Sequence, residues 1–132
     1  MRAMADPAPC PCGLPQPFAH CCGRWLDSAP PLPAPDALAL MRSRYSAFVL
    51  RRAHYLLATW HASTRPATIE FEPGLRWLGL QIKAHRCQHA DHATVEFVAR
   101  SKLGGRARRM HETSRFRREQ GCWLYVDGEI AA

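Results

Sequence analysis

Four cysteines within thirteen positions, Cys10, Cys12, Cys21 and Cys22 in the run CPCGLPQPFAHCCG, are the densest reactive chemistry in the chain. A C-x-C pair and a C-C pair joined by an eight-residue loop can supply the four thiolates of a structural zinc site, a tetrahedron with sulfur about 2.3 Å from the metal. Gly13 and Gly23 follow the two pairs, where chain reversal and backbone N–H groups aimed at sulfur are useful. A vicinal disulfide between Cys21 and Cys22 would close a strained ring and leave the C-x-C unexplained. Unrelated free thiols are the bland alternative, and the spacing favours metal over both. His20 is a substitute ligand at most.

A unit this small has almost no core, so the metal supplies most of its folding free energy, on the order of 10 kcal/mol. Phe18 and Trp25 are expected to pack around it, and Phe18, Arg24 and Trp25 to form an accessible rim for docking. Cys87 and Cys122 stand singly in predicted strands, where a free cysteine is usually a small buried hydrophobe.

The remaining candidate residues are dispersed: Arg44, His61, Arg65, Glu96, His111, Glu112 and Arg115, with Tyr45, Trp60 and Trp77 as aromatic walls of a pocket. Glu96, mid-strand in TVEFVA, is the most suggestive carboxylate. Facing an apolar pocket with His111 or Tyr45 as donor, it would serve an isomerase-like reaction. Facing outward, it would be a solvated carboxylate paired with Arg100 or Arg115, and strand alternation alone does not choose the face. His111 and Glu112 are strand neighbours and point to opposite faces. HETSR lacks the second histidine and the helix of a zinc-protease motif. His61 is expected to cap helix carbonyls.

Positioning these residues requires helices followed by strands. Asp36 is a good N-cap, and Leu38, Met41, Tyr45 and Phe48 recur at spacings of three and four, which predicts a helix. A bend at Arg51, Arg52 and Ala53 precedes a second short helix over His54 to His61, which STRP ends. Leu78, Leu80, Ile82 and Ala84 alternate with polar or small residues. Residues 94–100, 110–118 and 123–126 are the other predicted strands. QHADH, KLGGR and EQG are short enough for hairpin turns, so the strands pair antiparallel. The expected architecture is α+β, two or three helices on a curved antiparallel sheet. Residues 1–29 form the metal unit, 30–35 a proline-rich connector, and 36–132 the main domain.

The chain has 132 residues, 47% of them hydrophobic, which bounds it to one packed domain plus a small unit. No apolar run approaches the length of a membrane span, and the start lacks the apolar segment of a secretory signal. A cytoplasmic location is expected, where clustered cysteines hold metal more often than disulfides. The formal charge is +7, with sixteen arginines against two lysines; a zinc–tetrathiolate centre lowers it to about +5. Arg106, Arg108, Arg109, Arg115, Arg117 and Arg118 gather around one hairpin. That arrangement would suit a phosphate backbone or simply an edge kept soluble.

CPCG, eight residues and CC resemble the zinc motif at the C-terminus of the SecA translocation ATPase, the SEC-C motif, where it docks a chaperone and ribosome-associated partners. MRSRYSAFVL, LLATWHASTRP, RWLGL, TVEFVAR, HETSRF and WLYVDG resemble the uncharacterised bacterial YchJ-type family over residues 10–128. The resemblance implies Cys10, Cys12, Cys21 and Cys22 as zinc ligands and a cone-shaped domain of the nuclear-transport-factor-two or ketosteroid-isomerase type. It implies no activity. Gly13 is followed by Leu14 and Pro15 rather than the family's small residues, and a second, C-terminal motif carried by some relatives is missing from this sequence. The expected work is protein docking through the zinc motif beside a ligand-binding cone, without turnover. A nucleic-acid or ribosome-associated partner, a homodimer and a carboxylate-based enzyme are the alternatives; a membrane partner is not expected.

Overall fold

The computed structural model describes residues 9–28 and 32–131. Pro30 and Pro31 of the expected connector lie outside the described residues. The N-terminal knuckle carries a single helical turn, α1 (Gly23–Leu26). Helices α2 (Ala37–Leu50) and α3 (Ala53–Ala58) follow, then four strands: β1 (Arg76–His89), β2 (His92–Leu103), β3 (Arg106–Glu119) and β4 (Cys122–Ile130). The strands form one antiparallel sheet in the order β1-β2-β3-β4. No helix among the described residues is long and apolar enough to cross a membrane.

The boundaries follow from local chemistry. Asp36 accepts from the Ala39 N–H at 2.7 Å and caps α2. Arg51 ends it in the left-handed region at φ 58, and the Arg52 N–H returns to the Ala47 carbonyl at 2.8 Å. The β2–β3 turn has Gly104 and Gly105 at φ 56 and 79, and the β3–β4 turn has Gln120 and Gly121 at φ 53 and 78. Two consecutive positive φ values give the turn whose twist matches a hairpin. The short helix predicted over His54 to His61 stops at Ala58. Residues 59–61 then run beside β4, with the Tyr125 N–H donating to Thr59 O and the His61 N–H to Tyr125 O. That contact covers the outer edge of the sheet.

One face of the sheet packs on α2. Ala93, Val95, Phe97 and Ala99 of β2, Phe116 of β3 and Trp123 of β4 meet Leu40, Met41 and Tyr45. The alternation expected for β1 is interrupted by register shifts at Trp77/Gly79 and Ile82/Ala84. Each shift turns the following residues to the other face. Leu80 and Ile82 reach the core, whereas Leu78 is 54% exposed and Ala84 pairs opposite Glu96 on the outer face.

Helix α2 is buried on its back as well. Ser43, Ser46 and Ala47 are fully buried, and their small size lets two further layers approach. Ser43 Oγ donates to Leu40 O at 2.8 Å and lies 2.7 Å from the Tyr55 hydroxyl of α3. The remaining back surface receives the knuckle.

Candidate functional site

The four thiols converge. Cys10 and Cys12 come from the first arm of the knuckle, Cys21 follows a short 3-10 turn (Phe18–His20), and Cys22 immediately precedes α1. All four are buried, and their sulfurs lie within 4.8 Å of one another. The Cys12–Cys21 sulfur separation of 3.6 Å matches the edge of a metal–thiolate tetrahedron, about 3.8 Å for bonds of about 2.3 Å. All six cysteines are free. His20 is exposed and stands outside the cluster.

The electrostatics of the donor set are those of a site that could hold a cation. Cys12 is pulled down to about 5, chiefly by its hydrogen bond with Cys22 and against the effect of burial. Cys21 is pushed up to about 11, chiefly by burial, and Cys22 is pushed up by the hydrogen bond to Cys12 and then by burial. One thiolate forms readily and makes its neighbours harder to ionise. Four buried thiolates together fit only around a positive ion. The donors fit a metal.

Packing around the cluster differs from the expected pair. Leu14, Phe18 and Leu26 surround the sulfurs; Trp25 turns away, beneath the Arg24 guanidinium at 4.7 Å. Gly23 is required, since a Cβ there would collide with Phe18, 2.7 Å from its carbonyl oxygen. Nor is the knuckle a loose appendage. Ser46 Oγ lies 3.5 Å from Cys10 Sγ and also reaches the Cys22 thiol. Arg42 Nη1 donates to Cys12 O at 3.2 Å. The sequence reading passed over Ser46; its only signal was a run of small residues on the back of an otherwise large-residue helix.

On the other side of α2 a cavity of about 310 Å³ opens between helix and sheet, with Tyr45, Trp60, Trp77, Phe48, Phe97 and Tyr125 among its walls. Its charged residues are Arg44 and Glu112. Arg44 is only 3% exposed. Nη1 donates to Leu56 O at 2.8 Å and to Thr59 Oγ1 at 2.7 Å, and the guanidinium sits 4.6 Å from the Tyr125 ring centre and 5.0 Å from that of Trp60. Burial pulls the guanidinium down to about 10, so it remains a cation at neutral pH. Glu112 Oε2 accepts from Ser114 Oγ at 2.5 Å. Gly128 of β4 leaves the room its carboxylate occupies, because a Cβ at 128 would overlap Glu112 Oε2.

Five of the aromatic and polar pocket candidates, Arg44, Tyr45, Trp60, Trp77 and Glu112, line this cavity; His61, Glu96, His111 and Arg115 do not. Glu96 alternates with the core residues Val95 and Phe97 and therefore points to the outer face. There it lies 2.7 Å from His111 Nε2 and 3.9 Å from Arg86, not beside Arg100 or Arg115. Arg115 is held on the same face by Asp127 and Glu129, at 2.5 and 3.1 Å. His61 caps no helix: α3 ends before it, and its ring lies 2.7 Å from Glu119. Arg65 is exposed. Glu112, opposite Phe97 in the register, is the carboxylate that enters the cone. The alternation Met110, Glu112, Ser114, Phe116 was the signal for it.

Cys87 and Cys122 are exposed rather than buried, each near a hairpin end of its strand. The hairpin arginines divide between the faces. Arg108, Arg115 and Arg118 also have carboxylate partners among the described residues: Glu72, Asp127 with Glu129, and Asp91.

A knuckle of four clustered cysteines clamped to a helix-on-sheet cone defines the class: an α+β domain of the nuclear-transport-factor-two type with an N-terminal candidate metal motif. The family model for the YchJ middle NTF2-like domain matches residues 36–128, and the chain belongs to this YchJ-like family. A UPF0225 protein of Methylibium petroleiphilum is 66% identical over 125 residues, covering 94% of this chain and 90% of that one. A UPF0225 protein of Bordetella parapertussis is 58% identical over 129 residues, covering 96% of each. The solution structure of a SEC-C motif containing protein from Rhodopseudomonas palustris superposes with a TM-score of 0.81 at 30% identity, over 95% of this chain and all of that one. A SEC-C motif containing protein from Psychrobacter arcticus gives 0.77 at 26% identity, covering 94% and 83% of the two chains.

Proposed function

We propose that the chain is a non-catalytic binding protein in which a structural zinc ion holds the knuckle, the knuckle holds α2, and α2 with the sheet encloses a small ligand. The observation that carries this reading is Arg44. It is a buried cation whose Nη1 alone has protein acceptors among the described residues, set in an aromatic chamber of about 310 Å³. A chamber of that size with few polar groups is the usual form of a small-ligand site. Zinc is favoured by four soft donors at tetrahedral spacing, and four thiolates leave no coordination position for a reacting water. Free thiols in a metal-type cluster fit a reducing, cytoplasmic setting.

The test is titration of the zinc-loaded protein with 8-anilinonaphthalene-1-sulfonate, an aromatic anion excited by energy transfer from Trp60 and Trp77. One dye per chain is expected. Ala99→Phe, which fills the cavity, abolishes binding, and Thr113→Ala on the outer face leaves it unchanged. Dye that binds both variants equally would remove the cavity reading.

Docking remains a second reading, supported by a groove of about 620 Å³ beside the knuckle whose lining includes Trp25, Leu26, Tyr55 and Trp123. It predicts that proteins captured by the wild type after nuclease treatment are lost with Trp25→Ala while zinc content is retained. Identical capture by both would end it.

A further inference from the structure

The two charged groups of the cone are of opposite sign and feel each other's field, but they form no direct ion pair. Arg44 makes no ion pair with any carboxylate within 4.0 Å among the described residues, although Glu112 lines the same cavity. Each is instead anchored by its own neutral partners. Thr59 and the Leu56 carbonyl hold one edge of the guanidinium, with Trp60 and Tyr125 near it. Ser114 holds the carboxylate, and Gly128 gives it space. Opposite charges in an apolar chamber attract strongly unless their anchors keep them apart. The anchoring therefore leaves one cationic and one anionic group in the lining without direct contact, with Phe48, Trp77, Phe97 and Met110 as apolar wall.

We infer that the cavity is built for a zwitterion, a free α-amino acid with an apolar side chain: carboxylate on Arg44, ammonium on Glu112, side chain against the aromatic wall. A ligand with one charge meets one group and displaces water from the other without offering it a counter-charge, which a polar site disfavours. A neutral apolar ligand does so at both. The volume of about 310 Å³ is at the small end for ligand cavities, about 300 to 1,000 Å³, and fits a single compact molecule rather than a peptide.

This inference rests on the cavity reading above, and the experiment separates the two. The zinc-loaded full chain, carrying bound naphthalene dye, is titrated with L-phenylalanine and with its two singly charged analogues, 3-phenylpropionate and phenethylamine. L-Leucine runs in parallel as a smaller side chain. At least one amino acid is expected to displace the dye and raise the melting temperature, with both analogues at least tenfold weaker than phenylalanine or leucine. Glu112→Gln is expected to collapse the ratio between phenylalanine and phenylpropionate toward one, with zinc content unchanged as the check on folding. Failure of the dye to bind removes the cavity reading and this one with it. Dye that binds but yields to neither amino acid, or to a singly charged analogue as readily, leaves the cavity reading standing and overturns the zwitterion.

Discussion

The molecule buries charge in two places by opposite means. In the knuckle, four like groups are pressed together within 4.8 Å, and they can ionise together only around a cation. In the cone, Arg44 and Glu112 are unlike groups, each anchored to neutral partners. An ion held by the first arrangement would be part of the fold. The lesson lies in how charge is balanced: a self-repelling set of thiolates can ionise together only around a cation, whereas an anchored pair of unlike charges needs no occupant to stay charged.

Removing the metal is the strongest way to break this contrast. A chelator, or Cys22→Ser, is expected to lower the melting temperature by on the order of 10 °C or more. It should also expose the knuckle to protease before the sheet, as hydrogen exchange or timed digestion would record. An apo protein as stable as the metal-loaded one would show that the thiols are inert. Ser46→Ala is the next largest: it leaves the ligands intact but removes the hydroxyl facing Cys10 and Cys22. Loss of such a supporting group weakens metal affinity by about 10- to 100-fold, measurable by competition with a chromogenic chelator. Gly128→Ala strikes the other region. It forces the Glu112 carboxylate from its place, with an expected loss of about 1 to 3 kcal/mol in urea unfolding and unchanged zinc content.

The mildest test concerns the chamber's walls and pH. Burial pushes Tyr45 and Tyr125 up to about 12 and raises Tyr55 as well. A phenol whose folded value exceeds its unfolded value, about 10, adds stability that is complete below pH 10 and lost as pH rises through 12. Absorbance at 295 nm should therefore stay flat past pH 10 and rise together with unfolding. An early rise of the native protein amounting to two or more phenols would mean that the chamber is wet, since Tyr55 lies outside it.

The elements that depend on local chemistry were readable in the sequence. Asp36 announces α2, Gly104 and Gly105 announce a hairpin, and the four cysteines announce a metal site. What was not readable depends on neighbours distant in sequence. The register shifts in β1 that expose Leu78 come from pairing with β2. The face occupied by Glu96 is fixed by which side of β2 α2 covers, a choice that alternation leaves open. Ser46 was passed over because a buried serine on a helix carries no pattern of its own; its role appears only when the knuckle folds back over thirty-six positions of chain to meet it.

Helix α2 has no free side: the sheet takes its front, and the knuckle and α3 take its back. In evolutionary terms this forbids shuffling. A cysteine motif of the same spacing imported from another gene would meet Ser46 and Arg42 as a foreign surface, and a cone inherited without its motif would leave both without their knuckle partners. The two halves can drift only in step, so substitutions on the back of α2 and in the knuckle loop should arise as matched pairs along a lineage.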